Sequence, residues 1–252
     1  MNGISIITIC YNNKCGLNKT IESVLAQDFN DIEYIIVDGV STDGVQELIK
    51  QYEEYISFFV SEPDNGIYDA LNKGIRKATK EWVICMNAGD VFTDSKVLSS
   101  IMSSEIPECK DAIYSDFWSC TADGKRFLCH TDRETGTLMH QSCIYKRRLH
   151  EDYGYYLVTK PYIVSDLVFL ISIPKEKYLK VPYCISVNAY GGVSQNGTWC
   201  TEGALGLKIA FRIENMNSAY IKYWKFRLSV LLPEKCKNII RKYILRKTFI
   251  EN

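Results

Sequence analysis

The stretch DNGIYDALNKGIRKATKEWVICMNAGD, from Asp64 to Asp90, joins a polar loop, a helix and a buried strand that ends in a carboxylate. The run Trp82, Val83, Ile84, Cys85, Met86 is short, uninterrupted and apolar, which is the pattern of a strand covered on both faces. Asn87-Ala-Gly-Asp90 follows at its carboxyl end, where open α/β sheets place their ligands. Upstream, Tyr68, Leu71 and Ile75 recur at helical spacing and predict a helix from about Tyr68 to Thr79 with a buried stripe. Together these features predict a charged ligand site at the strand's end.

Outward from this unit the pattern repeats. SIITICY, starting at Ser5, reads as a buried strand. After a loop from Asn12 to Gly16, the apolar set Leu17, Ile21, Val24 and Leu25 has helical spacing. EYIIVDG predicts a second strand, followed by a helix near Val45 to Tyr55 and a short strand around Phe58 to Ser61. After NAGD comes a helix whose start Asp94 or Ser95 is suited to cap. Residues 1–108 therefore read as a doubly wound parallel sheet. Beyond Pro107 the texture changes. AIYSDFWSC and KRFLCH read as two strands of a hairpin across Ala122-Asp123-Gly124, residues 137–190 alternate short apolar runs with polar loops, and the segment from about Ala204 is helical and basic. This predicts one α/β domain over residues 1–203, in halves 1–108 and 109–203, followed by a basic amphipathic helical segment over 204–252.

The composition bounds the function. The 252 residues are 46% hydrophobic, enough for one large core, and the formal net charge is zero. That neutrality hides an asymmetry: residues 1–110 hold 9 Lys/Arg against 17 Asp/Glu, and the remainder hold 21 against 13. An acidic first half suits metal use and disfavours nucleic acid as a partner, while the basic second half suits an anionic partner or surface. The ten cysteines are scattered without a CxxC pair and read as reduced thiols, and Cys129 beside His130 lacks the neighbours a zinc site needs. The apolar start has no basic segment before it, and no run approaches a membrane span, so a cytoplasmic protein is expected.

Several polar residues then become candidates. In Asp38-Gly-Val-Ser-Thr-Asp-Gly an acid ends the second strand, where it is placed to accept hydrogen bonds from a nucleobase or ribose or to cap a turn. No GxGxxG follows the first strand and no GxxxxGK[ST] occurs, so a diphosphate must be held another way. Asp90 offers one, as an oxygen ligand to Mg²⁺ or Mn²⁺ bridging two phosphates. Asp166, in YIVSDLVFL, is a carboxylate amid apolar residues, costly unless it is useful, hydrogen-bonded or a helix cap.

In order and spacing, SIITICYN, VDGVSTDG, EPDNGIYDALNKGI, NAGD, HQSCIY from His140, YIVSDLVFL and GGVS at Gly191 to Ser194 resemble the family 2 glycosyltransferases with the GT-A fold, in particular bacterial polysaccharide-assembly members. The resemblance implies a Rossmann-like, mostly parallel sheet flanked by helices, with a smaller mixed acceptor-side region. It places Thr8, Tyr11, Asn12 and Asp38 around the nucleotide, and Asp64, Asn65, Asp69, Asn72 and Lys73 along the loop and helix bordering the donor. It makes Asp90 the metal-binding acid of the motif written DxD. Here that motif reads Asn87-Ala-Gly-Asp90, with one carboxylate in place of two, and Asn87 is left to supply a neutral oxygen or a hydrogen bond to the sugar or ribose. The acid at Asp166 corresponds to the family's catalytic base, and His140 with Gln141 to an element that contacts diphosphate or acceptor.

The implied activity is inverting transfer of a sugar from a UDP-, GDP- or dTDP-linked donor to a glycan acceptor, lipid-linked, in surface polysaccharide synthesis. Two alternatives remain open: a noncatalytic glycan-binding or scaffold protein, and a sugar-nucleotide nucleotidyltransferase, which lacks its glycine-rich basic loop here. From Tyr220 to Leu232, and again around Ile239, Ile240, Tyr243 and Ile244, aromatic and aliphatic residues mix with Lys and Arg. This pattern fits peripheral contact with the inner face of an anionic membrane, or a terminal helix packed on the domain.

Overall fold

The computed structural model describes residues 3–160, 162–192, 199–232, 236 and 249–250. The alternating units are those expected over the first hundred residues. Strands β1 (Ile4–Cys10), β2 (Ile32–Asp38), β3 (Phe58–Ser61) and β4 (Trp82–Cys85) alternate with helices α1 (Lys14–Leu25), α2 (Val45–Gln51) and α3 (Ile67–Lys77). After β4 come β5 (Val91–Phe92) and α4 (Val97–Met102). Residues 109–203 contain β6 (Ala112–Tyr114), β7 (Phe117–Cys120), β8 (Arg126–Cys129), β9 (Cys143–Lys146), α5 (Leu149–Tyr153), α6 (Ser165–Ser172), β10 (Tyr178–Lys180) and β11 (Ser186–Asn188). Helices α7 (Trp199–Ala210) and α8 (Met216–Val230) and a short strand β12 (Phe249–Ile250) follow.

Seven strands form the main sheet in the order β10-β6-β9-β4-β1-β2-β3. Only β9 runs antiparallel to its neighbours, so the sheet is mostly parallel, as expected. Its two faces build two cores. Ile4 and Ile6 of β1 pack with Leu17, Ile21 and Val24 of α1 and with α2 and α4, while Ile7 and Ile9 pack with Tyr68, Leu71 and Ile75 of α3 and with Phe169 and Leu170 of α6. Helices on both faces explain why β1 buries residues of both its faces, with Ser5 and Thr8 the only polar side chains in it. The loops at the carboxyl ends of β1, β2 and β4 consequently converge on one rim.

Three local expectations are corrected. AIYSDFWSC is not one strand: it breaks at Ser115-Asp116, β6 joining the main sheet and β7 a second sheet of order β12-β8-β7-β11-β5. The break is held by side chains, since Ser115 Oγ accepts from Ile185 N at 3.0 Å and Asp116 Oδ1 accepts from Thr131 N at 2.9 Å. The hairpin itself is present, β7 pairing antiparallel with β8, and Gly124 takes φ +80° in its turn. Neither Asp94 nor Ser95 caps α4, which begins after Lys96; Asp94 Oδ1 accepts instead from Lys96 N within the preceding turn. Nor does Asp166 cap α6: Val164 is its N-cap, and the Asp166 side chain bonds elsewhere.

The helical C-terminal part starts at Trp199, so α7 runs across residue 203. The basic stretch around Ile239 to Lys247, and Val193 and Ser194 of GGVS, lie outside the described residues.

Candidate active site

The loop after β4 carries the first carboxylate. Gly89, at φ +109°, turns the chain back, and Thr20 of α1 pins the loop by accepting from Gly89 N at 2.9 Å and donating to Asp90 O at 2.8 Å. The Asp90 side chain is thereby held inward, 7% exposed. Its Oδ1 accepts from Ala189 N and its Oδ2 from Gln141 Nε2, each at 2.8 Å. Burial pushes its carboxyl above the usual carboxylate range, outweighing those two hydrogen bonds. No Lys or Arg pairs with it among the described residues.

The second carboxylate, Asp166, sits in the first turn of α6. Its Oδ1 accepts from the Tyr68 hydroxyl of α3 at 2.7 Å, and its Oδ2 from His140 Nδ1 at 2.7 Å. Tyr68 is itself oriented, its oxygen accepting from Ser165 N at 2.9 Å. Burial pushes the Asp166 carboxyl up, yet the donors from His140 and Tyr68 hold it below the ordinary value, so it stays ionised at neutral pH. His140 and Gln141 are neighbours on one 3₁₀ turn, and they reach the two carboxylates separately. Beyond His140, Asn87 Nδ2 lies 3.1 Å from Nε2, which leaves Asn87 Oδ1 buried without a partner; Gln141 Oε1 is likewise unpaired.

The candidates of residues 1–108 divide by task. Asp38 is fully buried, and its carboxylate accepts from Ser41 N at 3.0 Å, Ser41 Oγ at 2.5 Å and Ser61 Oγ at 2.6 Å, closing its own loop. Asn12 ties the β1 loop to that loop, donating from N to Ser41 Oγ and accepting from Thr42 N. Thr8 is buried within β1 against the Tyr34 hydroxyl. Tyr11, 69% exposed, and Asp64 approach each other over Gly39, where a Cβ would meet Asp64 Oδ2 at 2.6 Å. Asp64 Oδ1 accepts from Gly66 N. Asp69 accepts from Asn65 N, and Lys73 bonds Pro63 O and pairs with Glu62, so these residues shape the loop that carries Asp64. Asn72 is committed to both backbone groups of Tyr156.

One cavity of about 1120 Å³ brings together Tyr11, Asp64, Asn87, Asp90, His140 and Asp166. Thr8, Asn12, Asp38, Asn65, Asp69, Asn72 and Lys73 are not among its walls; they stand behind or beside them. Sequence reasoning read Tyr68 only as part of an apolar stripe, yet a buried tyrosine hydroxyl needs a partner, and that requirement was the available signal. Gln141 as a partner of Asp90 was missed for want of any local cue, 51 residues separating them. His130 is exposed and pairs with Asp116, whose carboxyl it and Lys180 help hold down at about 2 against burial. His150 stacks on Phe169 at 4.2 Å in an aromatic cluster, and burial pushes it down to about 4.

The family model for glycosyl transferase family 2 matches residues 5–154, more than half of the chain. The chain belongs to glycosyl transferase family 2. A Mycobacterium tuberculosis protein described as an uncharacterized glycosyltransferase is 35% identical over 102 residues, a match covering 40% of this chain and 39% of that one. The match thus spans about two-fifths of that relative's length. A glycosyltransferase of PGL/p-HBAD biosynthesis from Mycobacterium bovis is 26% identical over 206 residues, covering 75% of this chain and 78% of the relative. Among solved structures, residues 1–349 of Staphylococcus aureus TarS in complex with UDP-GlcNAc superimpose with a TM-score of 0.67 at 17% identity, over 86% of this chain and 67% of that one. Mannosyltransferase PcManGT from Pyrobaculum calidifontis, in complex with GDP-Man and Mn²⁺, gives 0.60 at 15% identity, over 97% and 85%. These likenesses show the fold, which is GT-A.

Proposed function

We propose that this chain is an inverting glycosyltransferase moving a sugar from a nucleoside diphosphate sugar to a hydroxyl of a glycan acceptor, lipid-linked, in surface polysaccharide synthesis. The observation that carries the reading is the pair Asp90 and Asp166, one carboxylate buried and the other half-buried, on opposite ends of one His-Gln turn and facing one cavity. Family membership supports the reading, and so do solved relatives of the same fold that hold UDP-GlcNAc, UDP, or GDP-Man with Mn²⁺. The donor is UDP-, GDP- or dTDP-linked and is bound by residues 1–108, with the acceptor bound by 109–203.

Tyr11 offers its exposed ring to the nucleobase. Asp38 and Asn12 order the loops beneath it, and Asp64 borders the donor at the rim. Asp90 fits Mg²⁺ or Mn²⁺: it is a buried carboxylate with no lysine or arginine against it among the described residues, a hard oxygen site whose remaining positions suit phosphate and water. When bound, the cation neutralises charge on the departing diphosphate. The unpaired oxygens of Asn87 and Gln141 suit sugar hydroxyls.

Asp166 takes the proton as the acceptor oxygen attacks the anomeric carbon. The O–H electron pair forms the new glycosidic bond, and the pair of the breaking C–O bond leaves with the nucleoside diphosphate. One base and one leaving-group site support a single displacement with inversion. On α8, Tyr220, Ile221, Trp224 and Leu228 are all exposed beside Lys225, which supports peripheral membrane contact next to a lipid-linked acceptor. Among the described residues no helix is long and apolar enough to cross a membrane.

Asp166→Asn tests the base. Turnover of the accepted donor should fall by about 10³-fold while nucleoside diphosphate affinity stays within twofold, the range expected for loss of a positioned general base. Unchanged turnover would remove Asp166 from the mechanism.

A further inference from the structure

The cavity that holds Asp90 and Asp166 has two unlike ends. On the side of the loops after β1, β3 and β4 its walls carry Tyr11, Asp64, Asn87 and Asp90. Beyond Asp166 they are Leu138, Ile163 and Leu167 around the carboxylate, Phe117 of β7, Ala204 of α7 and Phe226 of α8. The fold assembles this second end from separate pieces of chain. Helix α7 lies against the segment that leads into α6: the Tyr162 and Trp199 rings meet edge to face at 5.9 Å, and a Cβ on Gly203 would come within 3.1 Å of Val164. Helix α8 packs in turn on α7, with Arg227 4.0 Å from Glu202.

The chemistry of this end narrows what can sit there. None of the described residues lining the cavity is a lysine or arginine, so nothing in these walls balances a phosphate beyond Asp166. An oligosaccharide presents hydroxyls in every direction, and each one pressed against alkyl or phenyl groups loses its hydrogen bonds to water without replacement. Hydroxyls are few at this end: Ser119, Thr121 and Thr201 supply them, and that of Thr121 is turned back to the Lys125 carbonyl. Helix α8 continues the apolar character outward. Ala219 is buried and Phe226 lines the cavity, while Tyr220, Trp224 and Leu228 are exposed on the opposite side of the helix.

We propose that the end of the cavity beyond Asp166 binds an apolar, uncharged aglycone of the acceptor, an alkyl or aryl group joined directly to the sugar whose hydroxyl Asp166 deprotonates. This rests on the transferase reading of the site. The acceptor enters as a small glycolipid, its apolar part in the space walled by α6, α7, α8 and β7 and its sugar at the base. The reaction that supplies this acceptor is one that attaches a first sugar to an apolar alcohol or phenol, and this chain adds the next.

Cys200 of α7 lines the same end and is half-buried, so its alkylation reports occupancy without turnover. In the full chain at pH 8, the rate of N-ethylmaleimide addition to Cys200, read by mass spectrometry of its peptide, is measured against methyl, butyl and hexyl β-D-glucoside below micelle formation. The sugar is constant through the series, so the chain alone is tested. Each methylene fully removed from water favours binding by about fourfold, and with incomplete burial the concentration that halves the rate is expected to fall about 100-fold from methyl to hexyl. Cys109, exposed and outside the cavity, is expected to react unchanged. In Ala204→Trp, which fills the space, the hexyl advantage is expected to shrink to within threefold; if that variant does not fold, the wild-type series decides alone. Equal potency of methyl and hexyl glucoside, equal protection of Cys109, or a hexyl advantage that survives in folded Ala204→Trp would overturn the proposal. Equal potencies in a protein that binds a nucleoside diphosphate with Mn²⁺ would leave the transferase reading intact. Protection of Cys200 by hexyl glucoside in a protein that binds no nucleoside diphosphate would count against that reading and leave the apolar end of the cavity as a binding site.

Discussion

Two carboxylates that look equally functional in the sequence, Asp38 and Asp166, have opposite surroundings. Asp38 ends β2 and is saturated largely by its own loop: Ser41, three residues on, gives it an N–H and a hydroxyl, Ser61 of the neighbouring strand gives another hydroxyl, and no surface remains exposed. Asp166 is satisfied by groups 26 and 98 residues away, contributed by a turn and a helix that the fold must first assemble, and it faces the cavity. A carboxylate filled by neighbours in the chain builds the backbone. One held by distant side chains over open space is poised to react. Natural sites concentrate polar groups of the second kind where chemistry happens.

The comparison breaks if the two substitutions behave alike. Asp38→Ala leaves two serine hydroxyls and a buried N–H unpaired, and unfolding by urea should show a loss of about 3 kcal/mol or more. Asp166→Asn keeps one acceptor and loses one hydrogen bond, so the same titration should show only about 1 kcal/mol. Equal losses would mean that Asp166 is as structural as Asp38.

A buried histidine, His150, extends the contrast to pH. The folded state holds His150 at about 4, below its ordinary 6.5, because burial among Tyr145, Tyr156 and Phe169 disfavours the charged ring. The unfolded chain therefore binds a proton that the folded chain refuses. Stability from this residue is complete above pH 6.5 and is lost as pH falls toward 4, by up to about 3 kcal/mol. His150→Phe should flatten the dependence of the melting temperature on pH over that window. If the variant's slope equals the wild type's, the loss belongs to other groups.

Much of this organisation is legible in the amino-acid sequence alone. The largely apolar run Ile4–Cys10, interrupted only by Ser5 and Thr8, and the unbroken apolar runs Tyr34–Val37 and Trp82–Met86 call for helices on both faces, so the parallel sheet and its rim of loops followed. The break at Ser115-Asp116 was hidden because it carries no glycine or proline; it is made by hydrogen bonds to residues 131 and 185. Asp166 stood out as a charge among apolar neighbours, and Asp90 as the end of a buried strand. What sequence could not supply were the partners: Tyr68 with Asp166, Gln141 with Asp90 and Asn87 with His140 are all contacts across the fold. A local pattern tells which residue is unusual, and only the assembled chain tells what answers it.

On the proposed function, a nucleoside diphosphate binds in the cavity with a divalent cation on Asp90. Calorimetric titration of UDP, GDP and dTDP into the wild-type chain, each with Mn²⁺ and then with EDTA, tests it most directly. Binding of one of the three that weakens about 100-fold in EDTA, and about as much in Asp90→Asn with Mn²⁺ present, is the predicted result. Binding that ignores both EDTA and the loss of Asp90, or no binding of any of the three, would contradict it.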